Sequence, residues 1–191
     1  PDQETSQIAE SLTSGSTPVV LLGNAVSQHP DQAGLLKLAQ AIAEACGGKV
    51  GVLTEAANSV GSWLAGAVPD AGALDARAMV EQPRALYLLL NNEPSLDHAM
   101  PAAARAALAS AESVIALTSF RSPELLELAD CLLPIAPFTE TAGSFVNAEG
   151  RLQTFNGVVR ALGQTRPAWK VLRVLADLAG VKGLAYDSAE A

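Results

Sequence analysis

Residues 139–153 concentrate hydrogen-bonding side chains more densely than any other stretch: Thr139, Glu140, Thr141, Ser144, Asn147, Glu149, Arg151 and Gln153, with Gly143 and Gly150 among them. Three chemistries fit such a run. Glu140 and Glu149 could form a general acid–base pair, provided the loop brings them together. Asn147, Glu149 and Arg151 could form a charge-assisted network. Thr139, Thr141 and Ser144 could bond nearby backbone groups, while Gly143 and Gly150 permit backbone geometry that other residues resist. The third possibility is a rigid, polar, specifically shaped loop with no reaction of its own. If the network is buried, Asn147→Ala or Arg151→Ala should cost about 1–3 kcal/mol.

Other positions offer weaker chemistry. Gly23-Asn24-Ala25-Val26-Ser27 follows an apolar run but lacks the second and third glycines of a dinucleotide fingerprint. A helix N-terminus there could still seat a phosphate. Asn91-Asn92-Glu93-Pro94 and Ser119-Phe120-Arg121-Ser122 follow two further apolar runs. They could line a cleft or serve as ordinary caps and turns. His29 and His98 stand alone and read as surface or capping residues. Cys46 and Cys131 have no C-x-x-C partner, so they read as two buried thiols in a reducing compartment. The sequence contains no G-x-S-x-G elbow and no P-loop.

These residues need elements to position them. Val19 to Leu22 is an aliphatic run closed by Gly23, which predicts a strand. Leu35, Leu38, Ala39, Ile42 and Cys46 then follow helical spacing from Asp31, and Gly47-Gly48 stops them. A second strand is expected over Lys49 to Thr54. The alternation continues with a helix over Gly72 to Gln82 and a strand over Ala85 to Leu90. A helix over Pro101 to Ala111 and a strand over Ser113 to Thr118 follow. Ser122-Pro123-Glu124 is a strong helix start, with a cap, Pro at the first helical position and an acid near the N-terminus. Cys131 to Ile135 is the fifth strand, and Thr165-Arg166-Pro167 opens a last helix that Gly180 ends. Apolar strands alternating with helices predict an α/β fold. The expected arrangement is a doubly wound, Rossmann-like, mostly parallel five-stranded sheet with helices on both faces. Residues 1–16 read as a linker or disordered segment, or as a short helix around Ile8 to Leu12. Residues 17–180 read as a single α/β domain and 181–191 as a loose tail.

Composition bounds the function. The chain has 191 residues, of which 49% are hydrophobic, 17% charged and 4% aromatic. That suffices for one sizeable domain burying roughly 70% of its unfolded surface. The net charge of −8 leaves no basic stripe, so a nucleic-acid partner has no electrostatic support. No run approaches the roughly 18 apolar residues of a spanning helix, so direct membrane insertion is not expected. The chain starts PDQETSQIAE without an initiator Met and ends DSAEA, which reads as a segment of a longer protein.

One set of residues resembles a known family. It comprises Ala129-Asp130, Leu133-Pro134, Glu140, Gly143, Phe145-Val146-Asn147, Glu149-Gly150-Arg151 and Gln153, then Arg166-Pro167-Ala168-Trp169 and the helix behind them. This pattern is similar to the molybdopterin oxidoreductase superfamily. More narrowly, it is similar to the large iron–sulfur G subunits of bacterial NADH:quinone oxidoreductase (respiratory complex I). A weaker likeness lies in Asn58, Gly61, Gly66 and Pro69. The resemblance covers 129–180, and elsewhere in 19–128 only the strand–helix alternation agrees.

The resemblance implies a C-terminal, non-catalytic domain of that large subunit. In this family the iron–sulfur ligands lie in an N-terminal part, so no cofactor and no metal are expected in this chain. The parent would pass electrons from NADH to quinone through clusters held elsewhere, and the isolated segment would be inactive. Its partners would be other peripheral-arm subunits, on the cytoplasmic side of the bacterial inner membrane. Residues Thr139, Glu140, Gly143, Asn147, Glu149, Gly150, Arg151 and Gln153 would then be the relic of a cofactor-facing loop. The alternative is a pterin-dinucleotide-binding domain of a true molybdopterin enzyme such as a formate dehydrogenase. Glu93, which would repel a pyrophosphate, favours the first reading. A free-standing nucleotide-binding module is disfavoured by the missing phosphate fingerprint.

Overall fold

A computed structural model describes residues 2–27 and 29–189. Its contacts divide the chain into two compact units, Pro1–Ala65 with Phe145–Gln153, and Gly66–Ser144 with Thr154–Ala191.

The first unit opens with helix α1 (Gln3–Ser14), capped by Asp2, whose Oδ1 accepts from the Thr5 amide at 2.8 Å. The helix is longer than the Ile8–Leu12 turn expected from sequence. Strand β1 (Val19–Leu22), the short helix α2 (Asn24–Ser27), helix α3 (Gln32–Ala45), strand β2 (Lys49–Val52) and helix α4 (Ser59–Leu64) follow. Asp31 caps α3 by accepting from the Gly34 amide, and Ala39 and Ala43 are its buried positions. The glycine pair does more than stop that helix. Gly47 takes φ +64°, which favours glycine. A Cβ on Gly48 would lie 2.6 Å from the Pro18 carbonyl oxygen, so only glycine lets the chain return there. Lys49 then donates to that same carbonyl and β2 runs parallel to β1, with Val19 opposite Lys49.

In the second unit, helix α5 (Ala76–Glu81) starts late. The expected helix from Gly72 is shortened because Asp75 caps it and Gly72 turns with φ +93°. Strand β3 (Leu86–Leu90), helix α6 (Pro94–Asp97), helix α7 (Pro101–Ala109), strand β4 (Ser113–Thr118), helix α8 (Pro123–Leu128) and strand β5 (Cys131–Pro134) follow. The sheet order is β3-β4-β5, all parallel. β4 is central and alternates little: Val114, Ala116, Leu117 and Thr118 are buried. Tyr87, Ala107, Leu108 and Val114 form the core cluster, and Leu117 and Leu125 are fully buried. A 3-10 turn (Phe138–Glu140) precedes strands β6 (Gly143–Val146) and β7 (Leu152–Phe155), which pair with each other. Helix α9 (Ala168–Leu178) starts after Pro167, and Gly180, with φ +76°, follows its end. Residues 181–189 form no helix or strand, but Arg173 donates to the Tyr186 carbonyl and pairs with Asp187 at 3.1 Å.

The α/β class with parallel strands holds, and three details differ from expectation. The five parallel strands form a two-stranded and a three-stranded sheet, not one sheet of five. An apolar run specifies a strand but not its neighbours, and only β4 is buried as a strand covered on both faces should be. In β1, Val19 and Leu21 are exposed, and in β3 so are Leu86, Leu88 and Leu90. Residues 143–155, expected to belong to a rigid polar loop, contain the β6–β7 hairpin. Finally, Cys131 is exposed, not buried, while Cys46 is half-buried.

Candidate functional site

The polar stretch is built from the turn after β5 and the hairpin after it, and its residues fall in both units.

In the second unit the Glu140 carboxylate accepts from the Leu162 amide at 3.0 Å. The Thr139 carbonyl accepts from the amides of Val158 at 2.7 Å and Val159 at 3.3 Å. The strap 157–162 is thereby fastened to the 3-10 turn. Gly157 fits flat on that turn, since a Cβ there would lie 2.9 Å from the Glu140 carbonyl carbon and 3.0 Å from the Thr141 nitrogen. Gly143 sits under the Phe155 ring, where a Cβ would lie 2.7 Å from the nearest ring atom. Asp130, at the start of the family pattern, accepts from the Val114 amide at 2.8 Å and so pins the head of β4. The Arg166 backbone bridges Ile135, extending the edge of β5.

In the first unit Asn147 organises the hairpin tip. Its Oδ1 accepts from the amides of Glu149 and Arg151, each at 3.0 Å. Gly150 completes the turn at φ +79°. Arg151 and Glu149 approach to 3.8 Å with side chains 72% and 76% exposed. Gln153 lies exposed on β7. The Asn147, Glu149 and Arg151 network therefore exists but is not buried. Solvent screening limits the ion pair, so Arg151→Ala should change the unfolding free energy by less than about 0.5 kcal/mol. Asn147→Ala removes two turn bonds and should cost about 0.5–1.5 kcal/mol. Denaturant titration of both variants checks the difference.

Asn58 and Gly61, the weaker part of the resemblance, hold the base of the same hairpin. Asn58 Oδ1 accepts from the Val146 amide at 2.8 Å, although Asn58 and Val146 stand far apart in sequence. It does not cap α4. A Cβ on Gly61 would overlap the Asn58 amide group, so glycine there keeps Asn58 aimed at Val146. The sequence alone marks Asn58 and Gly61 without giving them a role, and it does not mark Gly157. The only signal for Gly157 was the turn-like Asn156-Gly157 pair.

The strand tips were the other candidates. At the end of β3, Asn91 has φ +47° and its amide donates to the Leu117 carbonyl at 2.7 Å. The Glu93 amide donates to Asp97 Oδ2 at 2.7 Å, and the Ser95 amide donates to Glu124 Oε2 at 3.1 Å. Carboxylates thus occupy the amides of α6, and this donor set does not fit a phosphate group. Ser122 caps α8 by accepting from the Leu125 amide at 3.2 Å. His29 is a local cap, its Nδ1 accepting from the Asp31 amide at 3.0 Å. Among the described residues no group of three or more His, Cys, Asp or Glu is placed to hold a metal ion. No described helix is long and apolar enough to cross a membrane.

Glu124 is the most connected carboxylate. It accepts from the Ser95 hydroxyl and amide and from Arg105 at 2.8 Å, while Arg105 also reaches Glu127 at 3.2 Å. Partial burial raises the Glu124 pKa, but the bonds from Ser95 and Arg105 outweigh that and hold it below 4.5. A lowered folded pKa stabilises the fold above the unfolded pKa, and that contribution fades as pH falls through the folded value. Unfolding free energy should therefore drop below about pH 4.5. In Glu124→Gln this part of the drop should be missing, which denaturation across pH 3–7 would read.

Residues 5–178 match the molybdopterin oxidoreductase family, and the chain belongs to it. Among curated relatives it is similar to the G subunit of NADH-quinone oxidoreductase from Mycobacterium bovis, at 38% identity over 128 residues. That match covers 63% of this chain and 15% of the relative. It is also similar to the mitochondrial 78 kDa subunit of NADH-ubiquinone oxidoreductase from Neurospora crassa, at 43% identity over 61 residues. This second match covers 32% of this chain and 8% of the relative. The 75 kDa subunit of NADH-ubiquinone oxidoreductase from Reclinomonas americana is 40% identical over 63 residues, covering 33% of this chain and 9% of that protein. The chain thus spans a small part of the length of these relatives.

Proposed function

We propose that this chain is a non-catalytic structural domain of the large peripheral-arm subunit of an NADH:quinone oxidoreductase. One observation carries the proposal: three polar side chains of the family pattern, those of Asp130, Glu140 and Asn147, are engaged with the chain's own backbone. Asp130 holds β4, Glu140 holds the 157–162 strap, and Asn147 holds the hairpin tip. A site kept for substrate or cofactor would leave such groups pointing at the ligand. In this reading Thr139, Glu140, Gly143, Asn147, Glu149, Gly150, Arg151 and Gln153 form a relic cleft loop that now shapes the domain. The chain binds no cofactor, and the iron–sulfur clusters that carry electrons from NADH to quinone sit elsewhere in the parent. Its partners are other peripheral-arm subunits, and it works peripherally on the cytoplasmic side of the bacterial inner membrane.

Glu140→Gln and Arg151→Ala in the full-length parent test this. Turnover from NADH to quinone per assembled complex should match wild type, with any loss appearing in the yield of complex. Normal assembly with abolished turnover would contradict the scaffold role and make the loop a working site.

A further inference from the structure

We infer that the strap 157–162 is a docking face of the second unit, and that its occupant is an apolar segment flanked by Asp or Glu on another subunit of the parent complex. The inference rests on the role proposed above and gives the chemistry of one partner.

The strap is ordered through its backbone and not through burial. Its Val158 and Leu162 amides donate to the Thr139 carbonyl and the Glu140 carboxylate, and Gly157 lies against the same turn. Its large apolar side chains point elsewhere. Val158 is 84% exposed, more than any other large apolar residue described, Leu162 is 77% exposed, and Val159 is exposed as well. Phe138 is exposed on the 3-10 turn to which the strap is fastened. Fixing a residue costs about 1–2 kcal/mol in backbone entropy, and exposed aliphatic groups return none of it. Apolar groups held in place yet left in water mark a protein-binding surface. The charges say what kind. Thr154 to Trp169 contains Arg160 and Arg166 but no Lys, Asp or Glu, although the whole chain carries a net −8. Arg enriched with Lys, Asp and Glu depleted is the composition of protein interfaces. Both arginines are exposed, and among the described residues neither pairs with a carboxylate. Glu140, the acid bonded to the strap, is engaged by the Leu162 amide. A carboxylate on the partner would complete Arg160 between the apolar contacts and fix the register of docking. Two arginines are too few for an anionic membrane surface, which draws clusters of roughly four to eight cations.

The test places the photo-crosslinker p-benzoylphenylalanine at position 158 of the tagged full-length parent in its native host. Irradiation, gentle purification and mass spectrometry then identify the cross-linked peptides. The expected result is one dominant cross-link to a co-purifying NADH dehydrogenase subunit, on a peptide that carries Asp or Glu beside apolar residues. Arg160→Glu, which sets like charges together, should lower the yield per parent chain about tenfold, while Arg160→Lys keeps most of it. With those subunits present, a cross-link to the parent's own chain, to a second copy, to lipid alone or to nothing would overturn the inference and leave the scaffold role standing. A peptide without carboxylates, or a yield that Arg160→Glu leaves unchanged, would overturn it equally. A parent that co-purifies with no NADH dehydrogenase subunit would overturn both.

Discussion

Leu117→Ala should lower the unfolding free energy of the second unit by about 2–5 kcal/mol. Leu117 has 0% of its surface exposed and sits on the middle strand of three. It stands opposite Leu90 on β3 and Leu133 on β5. Its carbonyl also accepts from the Asn91 amide, which turns the chain out of β3. Truncation leaves a void that neighbours bonded on both sides cannot close. The cost is therefore the lost transfer energy plus the cavity term. A matched truncation at Leu88, 49% exposed on β3, should cost far less. Chemical denaturation of both variants measures the contrast, and equal costs would mean that the core is not centred on β4.

The second large effect lies in the polar stretch. Gly157→Ala should cost about 1–3 kcal/mol, the range for forcing extra volume into a packed contact. Gly157 is not in the left-handed region that favours glycine, so the expected cost is steric. The added methyl would meet backbone atoms of Glu140 and Thr141, which cannot swing aside as a side-chain tip can. The strap would lift, straining the Val158–Thr139 and Leu162–Glu140 bonds together. Gly23→Ala is the control, because a Cβ there meets nothing within 4 Å. It should be neutral or stabilise by about 0.4–1 kcal/mol through the unfolded chain. Melting curves of both variants decide this.

Much of the local structure was legible because it is specified locally. β4 spans Ser113–Thr118 as the pattern predicts. Ser122 caps α8 and Asp31 caps α3, because a short polar side chain before a helix has one obvious use. Gly47 and Gly48 end α3 as glycines do, but the need of Gly48 to touch Pro18 depends on a strand far from it in sequence. Strand partners were not legible. Periodicity gives the face of a strand and says nothing of which edge is paired, so five strands in two sheets look the same in sequence as five in one.

The candidate loop was legible as a cluster and not as an architecture. Its polar density announced a specified shape. The hairpin of β6 and β7 was hidden because Asn147 and Gly150 read as loop residues as readily as turn residues. The role of Asn58 was illegible, since a side chain bonding the Val146 amide across the chain leaves no local signature. The family pattern was recognised over 129–180, whereas the family match runs over 5–178 and takes in strands that offered alternation alone. Burial was the least readable property. The exposed Cys131 and half-exposed Leu88 occupy apolar runs that composition alone would place inside.

If this family domain serves as a scaffold in an NADH:quinone oxidoreductase, its parent should be found among the other subunits of that enzyme. The most direct measurement tags the full-length parent in its native host, purifies it gently from membranes and identifies its partners by mass spectrometry. Molybdenum and tungsten are assayed in the same sample. Other NADH dehydrogenase subunits and neither metal are the expected result. Stoichiometric molybdenum or tungsten without those partners would contradict it, and would make the chain part of a pterin-binding catalytic cleft.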